Sequence, residues 1–198
     1  MPKKIKILAF AGSARPGSYN AQLVRIAGRA AESAGAEVTY LDLSEISLPL
    51  FDQHTQINEG FPDAAVQLKE LMPQQDGFLF SSPEYNASIA APMKNMIDWV
   101  SRSLPGEGWK ICFAGKAAAI MCASTGGLGG LRSLAHMRDI LSAMHVLVLP
   151  QQVTVGNAKD AFSEDGGLND ADLQERTEAL GTALVELLQG GSGGPDPG

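Results

Sequence analysis

Apolar positions along this chain follow two alternating rhythms. Nearly unbroken apolar runs occupy residues 5–11, interrupted only by Lys6, then 77–82, 117–123 and 146–149, and a shorter β-rich run lies at 37–41. Runs of this kind, without polar alternation, suit strands covered on both faces, as in a parallel sheet. Between them apolar residues recur three or four positions apart, the spacing of one helix face. Leu23, Ala27, Ala30 and Ala34 form the first such stripe, stopped by Gly35. Phe61, Ala65, Leu68 and Met72 form the second, with Pro62 and Asp63 near its start. Met93, Ile97, Val100 and Leu104 follow, then Leu134, Met137, Leu141 and Met144, and finally Leu173, Leu180, Leu184 and Leu187. Residues 42–59 read as a long connection with Leu48-Pro49-Leu50-Phe51 at its apolar centre.

Strands alternating with amphipathic helices predict an α/β fold: a parallel sheet, right-handed crossovers and helices on both faces. Five strands suit the flavodoxin-like order 2-1-3-4-5. No repeat or domain break is visible, so residues 1–189 are expected to form one domain. Residues 190–198 are rich in Gly and Pro; they are expected to be a flexible tail outside the fold.

Composition narrows the function. The 198 residues carry a net charge of -7, which speaks against nucleic-acid binding, because phosphate contacts need a basic surface. No apolar stretch approaches membrane-spanning length. The basic N-terminus leads into an apolar run too short for a secretion signal, so a cytoplasmic location is expected. Cys112 and Cys122 lack a C-x-x-C partner, and His54, His136 and His145 are scattered. Buried, inert thiols and no metal site are therefore expected.

In an open α/β sheet, ligands bind beyond the carboxyl ends of the strands, where the strand order reverses. The loops after the first, third and fourth strands meet there, and all three are unusual. The first, Gly12-Ser13-Ala14-Arg15-Pro16-Gly17-Ser18-Tyr19-Asn20, runs into a helix start, whose free N–H groups and positive dipole end suit an anion. Ser13, Ser18, Asn20 and Arg15 add side-chain donors where a dinucleotide fingerprint would have glycines, which favours a terminal monophosphate. An ordinary helix start capped by Ser18 is the alternative. The second loop, Pro83-Glu84-Tyr85-Asn86, reads as a rigid turn whose backbone can face the edge of a planar ligand. The third, residues 124–130, places four glycines in five positions. Such a turn exposes successive N–H groups and permits close approach of a ligand.

These segments, together with Leu48-Pro49-Leu50-Phe51 and the stretch from Lys94 through Asn95, Met96, Ile97, Asp98, Trp99, Val100 and Ser101 to Arg102, resemble the NADPH-dependent FMN reductase family, which includes quinone, azo and chromate reductases. The likeness spans nearly all of residues 5–188. It implies a non-covalently bound FMN, with NADPH or NADH as transient electron donor. It also implies that Ser13, Arg15, Ser18 and Asn20 hold the FMN phosphate with Gln22 close by. Pro83, Glu84, Tyr85 and Asn86 would flank the isoalloxazine ring, and Ser124, Gly126 and Gly127 its other edge. The family is usually dimeric or tetrameric, which implies a homodimer or homotetramer and makes Trp99 and Arg102 interface candidates.

The expected activity is oxidoreduction in two steps, from NAD(P)H to flavin N5 and onward to quinones, flavins, azo compounds or metal oxyanions. The flavin carries that chemistry, so no catalytic side chain is required. The alternatives are a flavodoxin-type electron carrier, against which Arg15 speaks, and an FMN-binding regulatory protein. A phosphatase reading lacks a Cys or Asp nucleophile in the first loop.

Overall fold

The computed structural model describes residues 4–190. Five parallel strands form one sheet: β1 (Lys6–Ala11), β2 (Glu37–Leu41), β3 (Gly77–Ser81), β6 (Ala117–Ala123) and β7 (Leu147–Val155), in the order β2-β1-β3-β6-β7. A separate two-stranded hairpin, β4 (Glu84–Tyr85) and β5 (Ser88–Ile89), follows β3. The helices are α1 (Tyr19–Ser33), α2 (Gln53–Glu59), α3 (Asp63–Leu71), α4 (Ala91–Val100), α5 (Leu131–Ala143), α6 (Ala158–Ala161) and α7 (Ala171–Gly190). The main-sheet order is the one the alternation of strands and helices predicts.

Successive strand residues point to opposite faces, and the core divides accordingly. Ile7, Ala9, Leu79, Ala119 and Met121 lie in one buried cluster with Leu23 and Ala27 of α1 and Leu180 and Leu184 of α7. Leu8, Phe10, Phe78, Phe80 and Ile120 lie in the other, with Leu68 of α3, Met93 and Ile97 of α4, and Leu134 of α5. Gly181 lets α7 pass directly over α1, where any added Cβ would meet the Ala27 backbone.

Three differences from the pattern reading have physical causes. The last strand runs on to Val155, beyond the expected 146–149. Pro150 hid this continuation, but β7 is an edge strand and its pairing with β6 shifts register between Ala118 and Ile120, a place where Pro is tolerated. Arg138 satisfies the displaced backbone, donating to Leu149 O at 2.8 Å and Val148 O at 3.3 Å. The connection at 42–59 contains α2, which buries none of its residues and therefore writes no apolar stripe. It is fixed at its start by Asp52, whose carboxylate accepts from Thr55 N at 2.9 Å. Gly190 closes α7 and so does not begin the tail; the remainder of that stretch, 191–198, lies outside the described residues.

Trp99 is completely buried and so is not the surface interface residue suggested by its position on α4. Its indole donates to Pro49 O at 2.7 Å, and its ring meets Phe51 and Phe61 edge-on at 5.1 and 5.9 Å. Asn95, one turn earlier, accepts from Phe51 N at 2.7 Å and donates to Pro49 O at 2.9 Å. The two side chains clamp the segment from Leu48 to Phe51 from behind. Arg102 is exposed and lies over the Phe51 ring.

Candidate functional site

The three unusual loops are tied together at the carboxyl ends of β1, β3 and β6. Gly12 N donates to Ser81 O at 2.8 Å, and Ser82 N to Met121 O at 3.2 Å. Asn20, buried at the start of α1, donates to Ala123 O at 2.8 Å and accepts from Ala123 N at 2.9 Å and Ser81 Oγ at 2.8 Å. The second loop is fastened at its root by Ser82 Oγ, which accepts from Ala90 N at 3.2 Å.

In the first loop Ser18 caps α1, its hydroxyl accepting from Ala21 N at 3.3 Å. Ser13 Oγ accepts from Arg15 N at 3.4 Å. Arg15 is exposed; its guanidinium donates to Gly17 O at 3.3 Å and lies over the Tyr19 ring, 5.1 Å from the centroid. Gln22 sits in the first turn, its N–H bonded to Ser18 O at 3.1 Å. The N–H groups of Tyr19 and Asn20 belong to the first turn, where a helix offers no internal acceptor. No acidic side chain lies in that turn, so the positive end of the helix is open to an anion.

The second helix start at this crevice is different. Gly130 precedes α5 in a left-handed conformation and offers no side-chain cap. Glu84 serves instead. Its Oε2 accepts from Ser133 N at 3.3 Å, and its Oε1 accepts from Arg132 Nε at 2.9 Å and from the Arg132 terminal nitrogen. The bond from Arg132, with help from the Ser133 N–H, holds the Glu84 carboxyl below the usual range. A built-in carboxylate therefore occupies the anion position of α5. Of these two starts, α1 is the one without a carboxylate.

The rest of the second loop forms a tight hairpin. Asn86 and Ala87 have φ of 50° and 65° between the paired residues Tyr85 and Ser88, as a two-residue turn with both centres left-handed demands. Ser88 Oγ lies 2.9 Å from His136 Nδ1, a second tie to α5. The Glu84 carboxylate is thus engaged with α5, whereas Tyr85 is half exposed. Ser82 and Arg132 carried no site reading in the sequence, and His136 was read only as a scattered histidine. Arg132 and His136 stand one turn apart on the exposed side of α5, a spacing indistinguishable from a solvated helix face.

The glycines of the third loop separate into two kinds. A Cβ on Gly130 would stand 2.9 Å from Cys122 Cβ, and one on Gly129 2.9 Å from Gly156 N; both residues also have positive φ. Internal packing accounts for them. At Gly127 a Cβ would meet nothing within 4 Å, and at Gly126 only Ser124 Oγ at 3.8 Å, with no positive φ at either position. Nothing in the described structure requires glycine there, and the absence of a side chain leaves the backbone open to close approach. Ser124 anchors this turn, its N–H bonded to Val155 O and its carbonyl to Ala158 N, both at 3.0 Å.

Both cysteines are buried, and burial raises both thiols, Cys122 to about 11, so neither is an available nucleophile. Among the described residues no group of three or more His, Cys, Asp or Glu is placed to hold a metal, and no helix is long and apolar enough to cross a membrane. One open helix start beside a glycine backbone open to solvent fits a planar ligand ending in a single phosphate, as FMN does.

Comparison with known proteins agrees with this geometry. The chain is 37% identical over 194 residues to an NAD(P)H-dependent FMN reductase of Pseudomonas aeruginosa, covering 96% of this chain and all of that one. It is 36% identical over 191 residues to the quinone reductase of Escherichia coli, covering 96% and 98% of the two chains. Among solved structures, FerB, a flavoenzyme NAD(P)H:(acceptor) oxidoreductase of Paracoccus denitrificans, shares the fold with a TM-score of 0.76 at 23% identity, over 94% and 98% of the two chains. The family model for NADPH-dependent FMN reductase matches residues 5–160. With its flavodoxin-like sheet and FMN as the cofactor of its chemistry, the chain belongs to the NADPH-dependent FMN reductase family.

Proposed function

We propose that this FMN-dependent oxidoreductase takes electrons from NAD(P)H and delivers them to small quinones, and that the crevice described above is where it does so. The quinone assignment follows the named activity of the Escherichia coli relative. The observation that carries the site assignment is the contrast between the two helix starts: Glu84 closes α5 and leaves α1 for the flavin phosphate.

FMN held here would supply the redox chemistry between the nicotinamide and the acceptor. The protein's part is to hold and to polarise. The first-turn N–H groups of α1, with Ser13, Ser18 and Arg15, hold the phosphate, and Gln22 stands beside them. Pro83, Tyr85 and Asn86 line the ring, their hairpin fixed by the hold of Glu84 on α5. Ser124, Gly126 and Gly127 present backbone to the opposite ring edge, where N–H donors favour the negative charge of the reduced cofactor.

The chain acts as a homodimer or homotetramer in this reading. Leu50 and Ile57 are 83% and 74% exposed, on a segment clamped by Asn95 and Trp99 and continuing into a helix that buries nothing. Rigid, exposed apolar residues of this kind suit a protein interface. The FMN-binding domain continues through Gly190 at the end of α7, and its location is cytoplasmic. Steady-state oxidation of NADPH that depends on both FMN and an added benzoquinone tests the activity; oxidation unchanged by the quinone would contradict it.

A further inference from the structure

Asn20 is the second residue of α1, yet its side chain lies buried and is bonded to two strands. Its single amide makes three protein contacts, two to the backbone of Ala123 and one to Ser81 Oγ. The strand register explains why an amide stands here. Ser81 pairs with Met121, so continuing β3 by two residues would set Pro83 against Ala123. In that register Ala123 would donate to the Ser82 carbonyl and accept from the Glu84 N–H, but the chain turns at Pro83 into the β4–β5 hairpin. Ala123 would be left with an N–H and a C=O to satisfy on that side. The Asn20 side chain supplies one acceptor and one donor and takes the place that β3 vacates. An ionised carboxylate has no donor for the Ala123 carbonyl.

The same residue lies in the turn that presents N–H groups to the phosphate, and Ala123 immediately precedes the glycine turn at 124–130. We propose that Asn20 is a positioning residue: it sets the spacing between the phosphate-holding start of α1 and the ring-facing ends of β3 and β6, and its amide does not bond the phosphate. The inference rests on the assignment of FMN to this crevice. It replaces the phosphate role that family resemblance gave the Asn20 side chain, whose oxygen already accepts twice.

Riboflavin, which lacks the phosphate, separates the two roles. Dissociation constants for FMN and riboflavin are measured by flavin fluorescence for the wild type, Asn20→Asp, Ser81→Ala and Arg15→Ala, with the midpoint potential of bound FMN. Asn20→Asp loses the donor to Ala123 O and weakens both flavins by the same factor, about tenfold. Ser81→Ala keeps the Ala123 pairing and weakens both by a smaller common factor; it carries the test if Asn20→Asp does not fold. The potential becomes more negative in both, because the N–H donors at 124–130 lose their placement against the reduced cofactor. Arg15→Ala weakens FMN alone. A loss confined to FMN in the Asn20 and Ser81 variants would make Asn20 a phosphate ligand. Unchanged affinities and potential with a lowered Tm would make it an ordinary core residue. Either result overturns the proposal. A wild type that binds neither flavin would remove the site itself and the proposal with it.

Discussion

Glu84 caps a helix to which it does not belong: its carboxylate accepts the Ser133 N–H at 3.3 Å while gripping Arg132. The residue sits in the loop after β3, and Ser133 opens α5 beyond the glycine turn. One side chain therefore fixes two walls of the crevice relative to each other. It also places a negative charge where a second phosphate would otherwise be welcome, which fits a mononucleotide rather than a dinucleotide site.

That bond makes stability depend on pH in a defined direction. The folded Glu84 carboxyl titrates below its ordinary value, mainly through the bond from Arg132. Its contribution is complete above the unfolded value of about 4.3 and is lost as the pH falls through the lowered folded value. Glu84→Gln removes this contribution, costing about 1 kcal/mol near neutral pH. Thermal denaturation from pH 7 downward should show the gap between wild type and variant narrowing in acid; a constant gap would contradict the cap.

The two kinds of glycine predict opposite phenotypes. Gly130→Ala forces a Cβ against Cys122 at a positive φ and should lower stability by roughly 2–4 kcal/mol. Gly127→Ala meets open space and should leave flavin-free stability within about 0.5 kcal/mol, yet weaken FMN binding. Denaturant melts and flavin titrations on both variants check the contrast. Tight FMN binding by Gly127→Ala would place the ligand elsewhere.

Most of the sheet was legible because apolar runs and helical stripes report burial, and burial is what the main sheet and its covering helices share. The exceptions are instructive. Helix α2 buries nothing, so its sequence carries no stripe. The continuation of β7 was hidden by Pro150, and only the shifted register and Arg138 make that residue acceptable. At the site, the three loops were readable from their residue types, but the directions of side chains were not. Glu84 and Asn20 read as ligand contacts in a linear motif, and the side chain of one bonds a helix 49 residues away while that of the other bonds a strand 103 residues away. Such pairings depend on the folded register, which local sequence does not display.

Arg15 is the cation of the first loop, loosely held by Gly17 O and the Tyr19 ring and exposed enough to turn toward a phosphate. Arg15→Ala should weaken FMN by about 1.5–3 kcal/mol, the worth of a bond to a charged group. Flavin content after gel filtration reads the loss. Full retention would remove Arg15 from the site.

Leu50 and Ile57 project from a rigidly clamped edge. A double Leu50→Asp, Ile57→Asp variant should shift the assembly toward monomer without lowering the stability of the chain by more than about 1 kcal/mol, since neither side chain is buried within the chain. Light scattering on the eluting peak measures the mass. An unchanged oligomer would move the interface to another face.

The central claim is that this chain holds FMN and lets a reduced nicotinamide reach it. Protein reconstituted with FMN, freed of excess flavin and mixed anaerobically with NADPH tests it directly. The visible flavin band should bleach on mixing and return when a benzoquinone is added. A band that stays intact through the addition of NADPH would contradict the account.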